Sequence, residues 1–313
     1  MLIYRTEIFS PFYFVALKPV SFLSICLLKS IAKEGYKMQK EDLLNIKEAL
    51  THAGQFHADD VFSTAFLKIV NPEIQVKRVF AVPEGYAGLV YDIGWGEFDH
   101  HQKDRKVREN GIPYAAFGLL WEQFGSLVLD EADVLEFDEN FVMGLDLSDN
   151  TGSFNPVSEA IGDFNPTWID NADPDECFWK AVEVAKAILN EKFKQIKANR
   201  KAYYIVLEEV KVCDGPILEL KETIPWKAAV KNTDIMYVIY ESNRGGYNIQ
   251  CVRKDGEEDE KKRFPENWRG KSAEELARIT GVEGLRFCHN SGFLCAAETK
   301  EAAWEVARLA VEA

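Results

Sequence analysis

From Leu44 onward, short apolar runs alternate with segments of helical spacing. KEALTHAG reads as a first strand ending at His52. In DDVFSTAFLKIV, the residues Val61, Phe62, Ala65, Phe66 and Ile69 recur at the spacing of one helix face. QVKRVFAV and GLVYDIG read as a second and a third strand, and YAAFGLLWEQFG as a helix stopped by Gly125. This alternation predicts an α/β domain built on a parallel sheet with helices on both faces. Such sheets bind ligands beyond the carboxyl ends of their strands.

ENFVMGLDLSDNTG has a helical apolar face in Phe141, Val142 and Leu145, and its spacing puts Asp146 and Asp149 on one side. The next stretch, GSFNPVSEAIGDFNPTWID, repeats FNP at Phe154 and Phe164 and reads as an irregular excursion. A long helical pattern follows from about Asp175 to Val210, with Val182, Ala185, Leu189, Phe193, Ile196, Tyr203 and Leu207 in a narrow stripe. Its length suits a connecting helix between two domains, or a dimerisation helix that would make the chain a homodimer. After Cys213 the pattern becomes strand-rich. PILEL, WKAAV, DIMYVIYES and GYNIQCVR read as strands, with a hairpin turn at Gly245-Gly246. Ser272 and Glu275 form a capping box opening the helix SAEELARIT. LRFCHNSGFLCA reads as strand–turn–strand, and 299–313 as a closing amphipathic helix. The expected division is a leader over 1–37, a metal-binding domain over 38–175, the connecting helix over 176–212 and a smaller mixed α+β domain over 213–313.

The leader differs from the rest. FSPFYFVAL and VSFLSICLL are broken by Lys18 and Pro19, and a spanning helix wants about twenty apolar residues. It reads as a start-site artefact ahead of Met38, with a weak anchor or signal as the rival, and no stable membrane association is expected. A chain beginning at Met38 is expected to stay soluble and keep its activity. Composition is that of a soluble globular protein, 47% hydrophobic and 28% charged. The net charge of −14 argues against a general nucleic-acid coat protein, which would be basic. It leaves room for a nucleotide substrate where bound metals offset the local carboxylates. The six cysteines contain no C-x-x-C pair and read as reduced thiols in a reducing, cytoplasmic setting.

The chemistry is concentrated between Thr51 and Gln102. Four of the five histidines, His52, His57, His100 and His101, lie there with Asp59, Asp60, Asp92 and Asp99. Imidazole with carboxylate is the ligand set of Mn, Fe, Co or Zn. Each cluster follows a predicted strand, so the fold would gather them at one sheet edge. Asp149 is a further candidate ligand. Two cations about 3.5–4 Å apart would stabilise both the attacking and the leaving oxygen of phosphoryl hydrolysis.

The ordered set H-x4-H-x-D-D, an isolated Asp, D-H-H and a later Asp resembles the DHH phosphoesterase superfamily. That group includes RecJ-type exonucleases, manganese pyrophosphatases and cyclic-dinucleotide phosphodiesterases. HAGQFHADD, FDHHQ, LDLSDN, FPENWRG and HNSGF resemble the markers of one family within it, the metal-dependent protein hydrolases or melanocyte proliferating gene family. The resemblance runs from about Leu44 to the C-terminus. It implies that His52, His57 and Asp92 hold one divalent metal, Mn foremost. Asp59, Asp92, His100 and Asp149 would hold a second. Asp99 and His101 would face the substrate or support the ligands. Typical DHH enzymes open with H-x3-D-x-D; here His57 stands where the first aspartate would, Asp60 is additional, and either Asp59 or Asp60 could bind metal. A second nitrogen ligand tilts the site towards Fe, Co or Zn. His289, Asn290, Ser291, Gly292 and Arg269 are candidates for holding substrate phosphates. The expected activity is a 3′-5′ exonuclease or small-nucleotide phosphodiesterase acting on a short oligonucleotide or small phosphate ester. A pyrophosphatase-like hydrolase and a metal-binding regulator without turnover are the alternatives.

Overall fold

The computed structural model describes residues 38–257 and 259–313; the leader over 1–37 lies outside them. The described chain forms two compact units. One comprises residues up to Leu127 together with Asp138–Val182, the other Val128–Phe137 with Glu183–Ala313.

In the first unit, helix α1 (Lys40–Asn45) leads into strand β1 (Glu48–His52), helix α2 (Ala58–Val70), and strands β2 (Gln75–Val79) and β3 (Leu89–Val90). The sheet order is β2-β1-β3, and both pairings are parallel. Successive residues Ala49, Leu50 and Thr51 of β1 are all buried. Side chains alternate between faces along a strand, so β1 is covered on both. The chain leaves β1 for β2 on one side and then crosses back to β3 on the other, which places the topological switch point at the carboxyl end of β1.

Helix α3 (Ala116–Phe124) packs its Phe117 and Trp121 against Phe62 and Phe66 of α2. Helix α4 (Glu131–Phe137) belongs to the second unit. A wide, π-type turn over Asp138–Val142 then runs into helix α5 (Met143–Thr151), and Phe141 meets Phe62 edge-on. The stretch read as an irregular excursion holds a helix, α6 (Pro156–Gly162). Asn155 caps it, accepting from the backbone N–H groups of Val157 and Ser158, with Pro156 at its start. Helix α7 (Pro174–Val212) is the long helix expected from the apolar stripe.

The second unit is built on a five-stranded sheet of order β4-β5-β6-β8-β7: β4 (Ile217–Glu219), β5 (Tyr237–Glu241), β6 (Tyr247–Cys251), β7 (Leu285–Cys288) and β8 (Leu294–Ala297). Only the β4–β5 pairing is parallel. Alternation sends Tyr237 and Ile239 into a core with Phe264, Leu276 and Val306, and Val238 into another with Val206, Trp226 and Val230. WKAAV corrects the expectation of a strand: Lys227–Val230 is one turn of helix, α8. It buries Ala229 and Val230 at helical rather than alternate spacing. The capping box at Ser272 opens α9 (Ala273–Thr280), and α10 (Lys300–Glu312) closes the chain. No described helix is long and apolar enough to cross a membrane.

Candidate metal centre

Strand β1 delivers His52 to the carboxyl edge of the first unit's sheet. The loop that follows is fastened by Arg78, whose side chain is almost wholly buried. Arg78 donates to the carbonyls of His52 (3.2 Å) and Gly54 (2.7 Å) and pairs with Asp175 at 2.6 Å. Its guanidinium also lies over the Phe178 ring. From the other side, Asn165 of the second FNP donates to the Phe56 carbonyl and accepts from the Phe56 N–H. The loop therefore reaches His57, at the N-terminus of α2, in a defined path.

Asp59 and Asp60 occupy the first turn of α2 and are fully buried. A helix N-terminus favours carboxylates there. Consecutive helical residues point about 100° apart, and the two aspartates diverge accordingly. Asp60 Oδ1 accepts the His57 N–H, while its Oδ2 lies 3.1 Å from His52 Nε2. Asp59 faces His57 and Asp149, with one ligand atom from each of the three lying within 4.8 Å of the others.

Asp92 follows β3 in a left-handed conformation, φ 54°. Its Oδ2 lies 3.1 Å from His52 Nε2 and its Oδ1 3.2 Å from His100 Nε2, so it offers one oxygen to each imidazole. His100 Nε2 also lies 3.2 Å from Asp149 Oδ2 and 3.8 Å from Asp59 Oδ2. Asp149 sits on α5 one turn beyond Asp146, yet Asp146 turns elsewhere. It is buried against Arg108 (2.7 Å) and accepts from the Gly118 N–H. A Cβ on Gly118 would fall 1.9 Å from that carboxylate, so glycine is what lets the two approach.

Asp99 is buried and acts as a brace. Its Oδ2 accepts the Trp95 N–H (2.7 Å), and its Oδ1 accepts the His101 N–H (3.2 Å) and faces His101 Nδ1 at 2.6 Å. His101 is about half exposed. These side chains line a cleft of about 990 Å³, together with Trp95, Arg105 and the α6 residues Ser158 and Glu159.

Two observations test whether cations fit here. First, neither oxygen of Asp59 has a hydrogen-bond partner among the described residues. Burial, then the charges of Asp92, Asp149 and Asp60, hold its carboxyl well above the ordinary range. Second, His100 Nδ1 lies 3.2 Å from Asn150 Oδ1. That oxygen is an acceptor, because the Asn150 amide donates to the Asp146 and Tyr114 carbonyls and Arg105 donates to Oδ1. With the proton on Nδ1, the Nε2 lone pair of neutral His100 points at Asp92 and Asp149. A lone pair aimed at two carboxylates is repulsive unless a metal cation or a second ring proton stands between them. In the bare protein burial opposes that proton, but Asp92 and Asp149 raise the His100 pKa and draw a positive charge to the position a metal would fill. The residues therefore fit divalent metal ions. In the bare protein, burial opposes charge on His52, but hydrogen bonding and charge from Asp60 and Asp92 outweigh it and raise its pKa to about 10. For Asp92, burial is outweighed by His100 and His52, which bring it down to about 2.

The possible ligand groupings are His52–Asp60–Asp92, His57–Asp59–Asp149 and Asp92–His100–His101. The first-unit histidines and Asp59, Asp60, Asp92, Asp99 and Asp149 come together around one cleft or its walls, whereas Asp146, set beside Asp149 by helical spacing, pairs with Arg108 instead. Asp60, left open by the sequence, faces His52, and Asn150, not among the candidates named from the sequence, orients His100. The second unit carries His289, Asn290, Ser291 and Gly292 in the β7–β8 turn. His289 Nδ1 lies 2.9 Å from Ser291 Oγ and accepts the Ser291 N–H. Arg269 turns to the Phe264 carbonyl (2.9 Å) and packs against Gly292.

Residues 48–311 match a family model, MYG1_exonuc, described as an uncharacterised protein family (UPF0160). The chain belongs to the MYG1 family. Among its MYG1 relatives, the rat MYG1 exonuclease is 28% identical over 345 residues, covering 90% of this chain and 89% of the relative. The human MYG1 exonuclease is 28% identical over 320 residues, covering 82% and 84%. The fission yeast (Schizosaccharomyces pombe) MYG1 protein C694.04c is 26% identical over 328 residues, covering 86% and 98%. No solved structure matches. Every side chain of the centre falls within the segment matched to the MYG1 model.

Proposed function

We propose that this chain is a divalent-metal-dependent nuclease of DHH type, hydrolysing phosphodiesters of short single-stranded nucleic acid from the 3′ end. The observation that carries the reading is Asp92, which offers one oxygen to His52 and the other to His100 at the carboxyl edge of a parallel sheet. A carboxylate so placed suits a bridge between two cations. Relatives named exonucleases support a nucleic-acid substrate. A cleft of about 990 Å³ has room for more than a pyrophosphate, which favours an oligonucleotide.

In this reading His52, His57, Asp59, Asp60, Asp92, His100 and Asp149 hold the metals, with Mn as the first candidate. Bound there, divalent ions supply Lewis-acid polarisation of a phosphoryl oxygen and a water of lowered pKa. The chain's own residues do the rest. Asn150 fixes the His100 tautomer and Arg78 fixes the loop between His52 and His57. Asp99 holds a proton on His101 Nδ1, which leaves Nε2 to exchange a proton with the leaving oxygen. His289, Asn290, Ser291, Gly292 and Arg269 of the second unit are assigned to gripping substrate phosphates. Their support is chemical: a glycine turn with exposed His289, a hydroxyl and a guanidinium.

The test is hydrolysis of 5′-labelled RNA and DNA oligonucleotides, cyclic dinucleotides and pyrophosphate by purified protein with Mn, Fe, Co or Zn. A ladder shortening from the 3′ end and abolished by EDTA is expected. Turnover of pyrophosphate alone, or none with any metal, would overturn the reading.

A further inference from the structure

We propose that Trp95 is a stacking platform for a nucleobase of the substrate at the mouth of the metal cleft; this rests on the nuclease reading above. Trp95 lines the cleft that contains His52, Asp92 and His100. The residue is 71% exposed, so its side chain adds little to stability by burial. Its backbone is left-handed, φ 60°, a region where the Cβ of a non-glycine residue crowds the backbone. Gly94 and Gly96 flank it, and a third glycine would adopt this conformation freely. A large apolar ring thus occupies a strained backbone position and stays in solvent. Stability explains neither fact, and strain of this kind collects where a side chain is held ready for a ligand.

The ring's mount is rigid. Asp99 Oδ2 accepts the Trp95 N–H, and the other oxygen of the same carboxylate holds His101. The backbone is fixed again by the Asp92 N–H donating to the Phe98 carbonyl. One buried aspartate therefore fixes the backbone that carries the indole and also holds an imidazole of the cleft. Arg105 lines the same cleft, anchored on Asn150. An aromatic face and a cation lining one cleft are the combination that binds single-stranded nucleic acid without regard to sequence, the base on the ring and the phosphate on the cation.

The ligand class is therefore a single-stranded oligonucleotide bearing a base at the stacked position. The experiment compares Mn-loaded wild type, Trp95→Ala and Trp95→Phe on one oligonucleotide series. Each member carries a single abasic residue, placed in turn at the first few positions from the 3′ end. Wild type should lose about 5- to 150-fold in kcat/KM, through KM, when one of these positions becomes abasic, the range for one lost base–aromatic stack. Trp95→Ala should show the same loss on the intact oligonucleotide and no further loss on that abasic one. Trp95→Phe should keep most of the discrimination. Metal content by mass spectrometry should match wild type in both variants. If Trp95→Ala discriminates against the abasic position as wild type does, or loses kcat with KM unchanged, the platform is refuted while the nuclease reading stands. If wild type cleaves no member of the series, the nuclease reading falls and the platform with it.

Discussion

Replacing Asp59 by Asn keeps the shape of the side chain and removes its charge. In the folded protein both oxygens of Asp59 are buried and lack hydrogen-bond partners among the described residues. Ligand oxygens of Asp59 and Asp149 lie within 4.8 Å of each other. At an effective dielectric near 20, two full charges at that distance repel by about 3.5 kcal/mol. Protonation of one carboxyl recovers part of this in the metal-free protein, so Asp59→Asn should stabilise the metal-free first unit by about 1–3 kcal/mol. At about 4 °C per kcal/mol for a domain of this size, its Tm in EDTA should rise by about 4–12 °C. With Mn the order of gains reverses. Ligand at a hundred times Kd stabilises wild type by about 2.7 kcal/mol, or about 11 °C. A tenfold or greater loss of affinity in the variant leaves it at most about 1.4 kcal/mol, or about 6 °C. Differential scanning fluorimetry in EDTA and across an Mn titration measures both quantities. A variant that melts below wild type in EDTA would mean that the fold itself satisfies the Asp59 charge. An equal Mn-induced shift in the two proteins would remove Asp59 from the ligand set.

Asp92→Ala should abolish activity and cut bound metal, because one side chain serves both His52 and His100; wild-type metal content by mass spectrometry would contradict this. His101→Ala should retain its metal while kcat falls by about 10²–10⁴-fold, the usual share of a general acid, as steady-state kinetics would show. Arg108→Ala leaves Asp146 buried without its guanidinium, and urea denaturation should show a loss of about 3–5 kcal/mol. His289→Ala should keep metal and fold and lower kcat/KM by about 10- to 1000-fold, the scale of one lost charge-stabilising donor; a value within twofold of wild type would refute the assignment of that turn.

Much of the secondary structure was legible along the chain because its causes are local. The helical spacing of Val61, Phe62, Ala65 and Phe66, the glycine pair at the hairpin and the Ser272–Glu275 box each act within a few residues. The misreadings also have local reasons. WKAAV is an apolar run too short for periodicity to separate a strand from a turn of helix. Asn155-Pro156 did signal a helix start, but the repeated FNP drew the reading towards an irregular loop. For the candidate site, the sequence determined the inventory: histidines and aspartates clustered after predicted strands, the residue types that bind divalent metals. It could not decide their partition. That Asp60 turns to His52 while Asp59 turns to His57 and Asp149 depends on where α2 sets its first turn against a sheet edge. The clamps are non-local as well. Arg78 reaches the His52 carbonyl across the β1–β2 pairing, and Asn150, fifty residues after His100, fixes that ring's tautomer. Trp95 looked like any loop residue in the sequence, since neither its left-handed backbone nor its exposure has a local signature. Residue identity sets which chemistry is possible, but distances of about 3 Å between segments far apart in the chain arise only once the sheet and its helices have packed.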